Sequence, residues 1–304
     1  MTAAPRQADG MDPVPAWFTA ALAAVPETYR VTVDGASINV LSWGERDRPG
    51  LVFVHGGAAH AHWWSHIAPM FLPDYRVVAI DLSGHGDSDR RADYSLRAWT
   101  DEVAAVVDHA AFSEPPVVIG HSMGGFVTIA TAAWQADMIG SAVIIDSPVV
   151  AMDPEVERAR RTDEFTKAKV YDDPAAPIAR FRTIPEQDTY LPFVKDHVAQ
   201  HSLHQLEDGR WGWKFDPTIF NIPPHHTVDI GGDLLPDISC PVALLRCEHG
   251  LVTPDIGDYM LTQLGRPIPV IELPTAGHHP MLDVPLILAA ALRSLLATWT
   301  HPPR

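Results

Sequence analysis

The 304-residue sequence has few cysteines, few basic residues and no long apolar run. Its two cysteines, Cys240 and Cys247, flank one apolar stretch, and if that stretch is a strand their Cα atoms are too far apart for a disulfide. Lysine and arginine number 22 against 38 aspartates and glutamates, and the net charge of −16 repels nucleic acid and anionic membranes. A disulfide-stapled fold and a nucleic-acid-binding protein are therefore both disfavoured.

The sequence also lacks the patterns of membrane insertion and export. No apolar run is long enough to span a bilayer, and the first ten residues, MTAAPRQADG, lack a cationic and then apolar signal. We therefore expect a cytoplasmic protein without a membrane partner. The oligomeric state stays open, a homodimer included.

Sixteen histidines raise the question of a metal site. They include one loose cluster and two adjacent pairs, namely His60, His62 and His66, then His225–His226, and His278–His279. None of these has a recognised ligand spacing with carboxylate or cysteine partners. We therefore expect no metal site.

The first strands are predicted after an Ala- and Pro-rich extension. Within that extension, residues 1–27, we expect one short helix in PAWFTAALAAVP and disorder at the extreme terminus. The stretch YRVTVDGASINVLSWG alternates about Asp34 and Gly35, which predicts a hairpin or two edge strands joined by a tight turn. The continuously apolar LVFVHGG that follows is typical of a strand buried on both faces.

Short apolar runs then alternate with stretches of helical spacing. The runs are YRVVAIDLSG, PPVVIGHS, SAVIIDSP, CPVALLRCE and IPVIELP. Strand and helix in turn predict an α/β fold with a mostly parallel sheet and helices on both faces, formed by residues 28–146 and 238–304. Such sheets carry their chemistry at the carboxyl ends of the strands.

One long interval, residues 147–237, interrupts this alternation. It contains no clear strand but many charges, prolines and aromatic residues. Because a structureless loop of this length is improbable in a compact domain, we expect an inserted, mainly helical cap.

The stretch Gly120-His121-Ser122-Met123-Gly124 matches the G-x-S-x-G nucleophile elbow, between a predicted strand and a predicted helix. In such a turn the serine is strained so that its oxygen points outwards, and glycines let strand and helix pass closely. We therefore expect Ser122 to be a nucleophile, a structural turn serine being the alternative.

A serine hydroxyl needs a base to take its proton. His278, in PTAGHHPMLD, follows the last apolar strand and precedes the last helix, so its loop can carry an imidazole over the strand ends. We expect His278 to be this base. His279, or neither histidine, is the alternative.

Four stretches together resemble the α/β-hydrolase superfamily, in its capped branch of esterases, lactonases and related hydrolases. They are HGG at residues 55–57, DLSGHGDSD at 81–89, GHSMGG at 120–125 and AGHHPMLDVP at 276–285. The resemblance implies an oxyanion hole formed by the backbone N–H groups of Gly57 and Met123. It makes DLSGHGDSD a structural loop that shapes the site.

The acid of the triad is where the sequence departs from many relatives. They carry an aspartate in the loop that here is RCEHGLVTP, but Gly250 stands at that position. Other members place the acid one strand earlier, where SAVIIDSPVV ends its apolar run at Asp146. A carboxylate that ends a buried strand is costly unless paired, and a histidine is a suitable partner. We expect Asp146 to be the acid; the alternatives are Glu248, or a turn-capping Asp146 with no clear acid.

These residues imply a serine hydrolase that needs no cofactor and acts on a small hydrophobic ester or lactone. Trp63 and Trp64 follow the oxyanion turn and are placed to line the pocket floor, and the cap supplies further tryptophans. The candidate substrate-binding residues are Trp64, Trp211 and Trp213, although aromatic residues at this density are more often core. A carbon–carbon bond hydrolase, a cofactor-free perhydrolase or haloperoxidase, and a non-catalytic receptor remain alternatives.

Overall fold

A computed structural model describes residues 14–150, 169–221 and 228–300 of the chain. The predicted disorder at the extreme N-terminus and the pair His225–His226 lie outside these residues. Cys240 and Cys247 are both free thiols, as the sequence predicts.

An eight-stranded sheet forms the centre of the protein. Its strand order is β1-β2-β4-β3-β5-β6-β10-β11, in which β2 pairs antiparallel with β1 and β4 and every other pairing is parallel. The strands are β1 (Glu27–Val33), β2 (Ala36–Trp43), β3 (Gly50–Val54), β4 (Arg76–Ile80), β5 (Val117–His121), β6 (Ser141–Ile145), β10 (Val242–His249) and β11 (Val270–Gly277). The predicted α/β fold with a mostly parallel sheet is confirmed.

Helices follow most of the strands. They are α1 (Ala16–Ala23), α2 (Leu96–Ala110), α3 (Met123–Trp134), α4 (Ala175–Ala179), α5 (Pro192–His201), α6 (Pro254–Leu264), α7 (Pro280–Asp283) and α8 (Pro285–Thr300). Short 3₁₀ turns lie at Ala61–Trp64, Ala68–Phe71, Ala136–Met138, Pro217–Phe220 and Leu235–Asp237, and a π turn lies at Ile230–Leu234. No helix in the described ranges is long and apolar enough to cross a membrane.

The alternation of side chains along β3 shows how the sheet is covered on both faces. Val52 and Val54 belong to the apolar layer that includes α2 and α3, whereas Leu51 and Phe53 belong to the layer that includes α8. All four are fully buried, because a central parallel strand has a core on each side. The continuous apolar run of this strand is explained by that burial.

The predicted hairpin is confirmed. β1 and β2 pair from Val33 opposite Ala36 outwards, and the turn residues Asp34 and Gly35 both have positive φ, at 47° and 80°. Asp and Gly are among the residues that accept this conformation most readily, so the two-residue turn follows directly from the sequence.

The interval between β6 and β10 contains strands that the sequence analysis did not predict. β7 (Val170–Tyr171), β8 (Leu203–Gln205) and β9 (Trp211–Trp213) form a small antiparallel sheet beside helices α4 and α5. Strands of two or three residues are too short to show an alternating pattern, which is why they were missed. We call residues 147–237 the inserted segment, of which 147–150, 169–221 and 228–237 are described.

The N-terminal helix α1 packs on the inserted segment. The Phe18 ring lies 4.9 Å from that of Phe193 on α5 and 5.8 Å from that of His66, measured between centroids. Trp17 also contacts Phe193, at 5.9 Å. The predicted helix in this region is confirmed, and it joins the extension to both the core and α5.

Strand β5 and helix α3 cross at a distance that only glycine permits. A Cβ atom on Gly120 would lie 2.1 Å from the carbonyl oxygen of Gly124. A Cβ atom on Gly124 would lie 2.4 Å from the carbonyl oxygens of Val54 and His55. The glycines of GHSMGG therefore set the distance between the sheet and the helix that follows Ser122.

The substitution Gly124→Ala tests this close approach. Because the new methyl group meets rigid backbone on β3, we expect the free energy of unfolding to fall by at least about 2 kcal/mol. Gly257→Ala on α6 is the matched control: its Cβ would meet nothing nearer than Leu244 Cδ2 at 3.8 Å, so stability should stay equal or rise slightly. Urea unfolding of both variants gives the comparison, and equal stabilities would contradict this account.

Candidate active site

The residues singled out in the sequence converge at the carboxyl edge of the sheet. Gly57 follows β3, Ser122 follows β5, Asp146 follows β6 and His278 follows β11. Parallel strands end at the same edge, so loops far apart in sequence become neighbours there. The DLSGHGDSD loop after β4 lies at the same edge. Its Asp81 carboxylate accepts hydrogen bonds from the backbone of Ala61 and Asp87.

Ser122 occupies a strained turn between β5 and α3. Its φ and ψ are 53° and −120°, a conformation that L-residues rarely adopt. The Ser122 N–H donates to the carbonyl oxygen of Ile145 at 3.0 Å, which holds the turn against the neighbouring strand. The strained turn predicted from the sequence is therefore present, and the side chain stays partly exposed.

His278 lies between Ser122 and Asp146. Its Nε2 is 3.0 Å from Ser122 Oγ, and its Nδ1 is 2.7 Å from Asp146 Oδ2. His279 turns away, with its Nε2 3.2 Å from the carbonyl oxygen of Pro185. The geometry therefore brings His278 to Ser122 and leaves His279 elsewhere.

Asp146 is fully buried and accepts several hydrogen bonds besides that of His278. The N–H groups of Cys247 and Val252 donate to Oδ1 at 3.2 Å, and the N–H of Leu251 donates to Oδ2 at 2.7 Å. Burial alone would raise the pKa of Asp146, but its hydrogen bond and charge interaction with His278, together with the amides of Leu251 and Cys247, lower this pKa below its ordinary value. The carboxylate is thus held ionised in a buried position.

The position of Gly250 explains why the acid comes from β6. A Cβ atom on Gly250 would lie 2.2 Å from Asp146 Oδ2, so the Asp146 carboxylate fills the space that a side chain at position 250 would enter. Glu248 is exposed, and its Oε2 accepts the Thr275 N–H at 2.7 Å instead of approaching His278. The structure brings Asp146, and not Glu248, to the histidine.

Gly57 and Met123 lie near Ser122. A Cβ atom on Gly57 would lie 3.8 Å from Met123 Sδ, and one on Gly56 would lie 3.2 Å from Ser122 Cβ. As the first residue of α3, Met123 has an N–H without an intrahelical acceptor. Within the described ranges, no acceptor takes the N–H of Gly57 either. Neither N–H group therefore has an acceptor among the described residues.

Two buried histidines that the sequence analysis did not assign hold the loops in place. His55 Nε2 accepts the Leu82 N–H at 3.1 Å while its Nδ1 donates to Gly56 O at 2.7 Å, which requires the neutral ring. His121 donates from Nε2 to the carbonyl oxygen of His278 at 2.7 Å. Burial lowers the pKa of His55 to about 4, and burial with the adjacent His278 lowers that of His121 to about 3. His55 is the first residue of HGG and His121 is the second residue of GHSMG, and this membership is the sequence signal that could have identified them.

A cavity of about 420 Å³ opens next to Gly57, between the core and the inserted segment. Its wall includes five aromatic side chains, those of Trp63, Tyr171, Phe181, Trp213 and Phe215. Among the described residues that line it, five are cationic and none is acidic, the five being Arg90, Lys169, Arg180, Arg182 and Lys214. Ser122 itself does not line this cavity, whose lining includes Gly57 and His279.

The three tryptophans predicted to bind substrate lie in different places relative to this cavity. Trp213 lines the cavity, 6.1 Å from the Phe181 ring. Trp64 does not line the cavity. It is fully buried, and its ring centroid lies 4.7 Å from that of Phe53. Its neighbour in the 3₁₀ turn, Trp63, faces the cavity instead. Trp211 lies on β9 outside the lining. Trp64 and Trp211 thus lie outside the lining of this cavity, whereas Trp63, which the sequence places after the oxyanion turn, and Phe181 of the inserted segment belong to it.

The fold and this constellation define an α/β-hydrolase, and comparison with known proteins agrees. The model of the Alpha/beta hydrolase family matches residues 51–291. The chain belongs to this family and is an enzyme of the α/β-hydrolase type.

Curated relatives extend over most of the chain. The lipase LipV of Mycobacterium tuberculosis is 29% identical over 265 residues, covering 85% of this chain and 97% of the relative. The esterase Rv0045c of the same organism is 28% identical over 293 residues, covering 90% of each. The solved structure of that esterase superposes with a TM-score of 0.72 at 25% identity, over 96% of this chain and 100% of the other.

The buried neutral state of His55 predicts a loss of stability in acid. The folded pKa of about 4 lies below the ordinary value of 6.5, so the unfolded chain takes up the proton first as the pH falls. The stability contributed by this group is full above pH 6.5 and is lost progressively down to about pH 4. The loss amounts to about 2 to 3 kcal/mol at pH 4.5.

Urea unfolding between pH 7.5 and pH 4.5 measures this loss. The His55→Gln variant keeps a donor and an acceptor at this position but cannot titrate. Between these two pH values its free energy of unfolding should therefore fall by less than that of the wild type, and the difference should equal the loss given above. Parallel curves for the variant and the wild type would show that His55 is not held neutral by the fold.

Proposed function

We propose that the protein is a serine hydrolase that cleaves a carboxylic ester or lactone through an acyl-enzyme. The observation that carries the proposal is the unbroken hydrogen-bond chain from Ser122 Oγ through His278 to Asp146, with distances of 3.0 and 2.7 Å. A nucleophile within hydrogen-bond reach of a base that is itself oriented by a third group is the arrangement that activates a hydroxyl. The names of LipV and Rv0045c, a lipase and an esterase, support the same chemistry.

In the first half of the reaction Ser122 Oγ attacks the ester carbonyl. His278 Nε2 takes the hydroxyl proton as the new C–O bond forms, and Asp146 stabilises the resulting imidazolium. The tetrahedral intermediate collapses when the bond to the leaving oxygen breaks and His278 returns the proton to that oxygen. The products at this point are the free alcohol and the acyl group on Ser122.

In the second half a water molecule replaces the alcohol. His278 accepts a proton from this water, which attacks the acyl carbonyl, and then gives the proton to Ser122 Oγ. The acid is released and the enzyme returns to its starting state, so no cofactor is consumed. For a lactone the alcohol and the acid remain one molecule.

The negative charge on the tetrahedral intermediate requires fixed donors. The N–H groups of Gly57 and Met123 are assigned this role because both lie beside Ser122 and neither donates within the described protein. Donors that are already oriented cost no reorganisation during the reaction, and each contributes a factor of about 10² to 10³ in rate.

The inserted segment is assigned the role of a cap that selects the substrate. Its Phe181 and Trp213, together with Trp63 of the core, form an apolar wall, so part of the substrate is hydrophobic. The five cations among the described lining residues favour a substrate that also carries negative charge, although Lys214 and Arg182 are paired with Asp87 and Glu186.

A perhydrolase is the second candidate, in which hydrogen peroxide replaces water as the attacking group. A bifunctional esterase/perhydrolase of Acinetobacter calcoaceticus is 33% identical over 148 residues, covering 48% of this chain and 52% of the relative. The same acyl-enzyme serves both reactions. Peroxide-dependent formation of a peracid from an ester would distinguish this activity from simple hydrolysis.

Intact-protein mass spectrometry after treatment with a fluorophosphonate probe tests the proposal. We expect a single adduct on the wild type, because His278 activates Ser122, and none on Ser122→Ala or His278→Ala. His279→Gln is the matched control and should still react.

Ester turnover separates the remaining alternatives. We expect the wild type to cleave p-nitrophenyl acetate, and the p-nitrophenyl monoester of succinic acid with a higher kcat/KM, because of the cationic lining. A folded wild type that forms no adduct and cleaves neither ester would refute the hydrolase proposal and favour a receptor of the same fold.

Moving the carboxylate from position 146 to position 250 tests the role of Asp146. Asp146→Gly should lower kcat by about 10³ to 10⁴, since the histidine loses the group that fixes its tautomer. Glycine suits this position because Asp146 has a φ of 44°. Adding Gly250→Asp should restore part of the activity, because position 250 points into the space that the Asp146 carboxylate occupied.

Two controls accompany this experiment. Gly250→Asp alone should lower both activity and stability, because its side chain collides with the Asp146 carboxylate. Glu248→Gln should keep most of the activity. Full activity in Asp146→Gly, or loss of activity in a folded Glu248→Gln, would show that the acid is assigned to the wrong residue.

A further inference from the structure

Three histidine rings meet where the inserted segment touches the core. His62 lies in the 3₁₀ turn Ala61–Trp64, while His197 and His201 lie one helical turn apart on α5. One ring nitrogen from each lies within 4.8 Å of the other two. The His201 ring centroid is 4.0 Å from that of His62 and 4.4 Å from that of His197. None of the three lines the cavity in the described part of the chain.

The hydrogen bonds of these rings leave nitrogens free to bind a ligand. His201 Nδ1 donates to the carbonyl oxygen of His197 at 2.8 Å, so its Nε2 keeps a lone pair. His62 Nδ1 lies 3.0 Å from Ser65 Oγ. His197 Nε2 is buried and has no hydrogen-bond partner among the described residues. A buried ring nitrogen without a partner is costly unless something outside the chain satisfies it.

We propose that His62, His197 and His201 bind one Zn²⁺ ion, with water in the fourth position. Two histidines at i and i+4 on one helical face, joined by a third from another element, form a common zinc donor set. Three imidazoles without a carboxylate select zinc and related transition metals over Mg²⁺ or Ca²⁺. Tetrahedral Zn–N bonds of about 2.0–2.1 Å place ligand nitrogens about 3.4 Å apart, so the rings close by roughly 1 Å on binding.

Hydrogen bonds on Nδ1 orient two of the three rings, His62 through Ser65 and His201 through the His197 carbonyl. Second partners on Nδ1, such as Ser65 and the His197 carbonyl, orient metal-binding histidines in this way.

Such an ion would fasten α5 of the inserted segment to the core. The turn that carries His62 also carries Trp63 of the cavity wall and follows Gly57. A hydrogen bond of 2.8 Å between His60 Nε2 and Ser202 Oγ already joins the same two elements. Zinc would therefore stabilise the position of α5 over the cavity, as a structural ion and not as part of the reaction at Ser122.

This proposal departs from the expectation, drawn from the sequence, that the protein has no metal site. The spacing His197-x-x-x-His201 is visible in the sequence and places both residues on one helical face. The third ligand is remote along the chain, so only the fold brings the set together.

Zinc titration of the chelator-treated full chain tests the proposal. We expect one Zn²⁺ per chain by calorimetry, a Tm higher by about 5 °C at a hundredfold excess over Kd, and no effect of Mg²⁺. The double variant His197→Gln/His201→Gln should bind zinc at least a hundredfold more weakly and lose the Tm increase. His109→Ala, on α2, removes an exposed histidine and should behave as the wild type.

A second cluster must be separated from the first. His121, His278 and His279 also bring ring nitrogens within 4.8 Å of one another, but His278 already contacts Ser122 and Asp146. Zinc binding that survives in the α5 double variant and is lost in His279→Gln would overturn the proposal, and so would a wild type that binds no zinc. Because calorimetry and Tm do not depend on turnover, the outcome is independent of the proposed hydrolase activity.

Discussion

The buried carboxylate of Asp146 is the constraint on which the arrangement of the site depends. Without water around it, this charge needs hydrogen-bond donors, and it takes them from Cys247, Leu251, Val252 and His278. These donors lie at the end of β10, in the loop that follows it and after β11. The Asp146 carboxylate, directly after β6, therefore fixes two neighbouring loops and the histidine that faces Ser122. Stability and the proposed chemistry depend on the same atoms.

Close backbone packing supplies the other half of the arrangement. Gly124 lets α3 approach β3, which brings Met123, the first residue of that helix, next to the turn at Gly57. Neutral, buried His55 holds this turn to the loop after β4, and His121 holds the loop of His278. Donors fixed in this way need no reorganisation when charge develops on a substrate, which is the property an oxyanion hole requires.

The sequence predicts those parts of the fold and site that depend on local pattern. Ser122, Asp146 and His278 each follow a recognisable apolar strand, so their meeting at one edge of the sheet follows from the topology. Trp64 lies outside the cavity lining, and periodicity does not show which of two adjacent tryptophans in a 3₁₀ turn faces the core. The strands β7–β9 and the cluster of His62 with α5 depend on contacts between remote segments, which no local pattern contains.

The most direct test of the site is a crystal structure of the covalent phosphonate adduct. We expect phosphorus bonded to Ser122 Oγ and one phosphonyl oxygen within about 3.1 Å of the amide nitrogens of both Gly57 and Met123, with Asp146 still hydrogen-bonded to His278. An oxygen that points away from these two amides, or phosphorus on another residue, would contradict it.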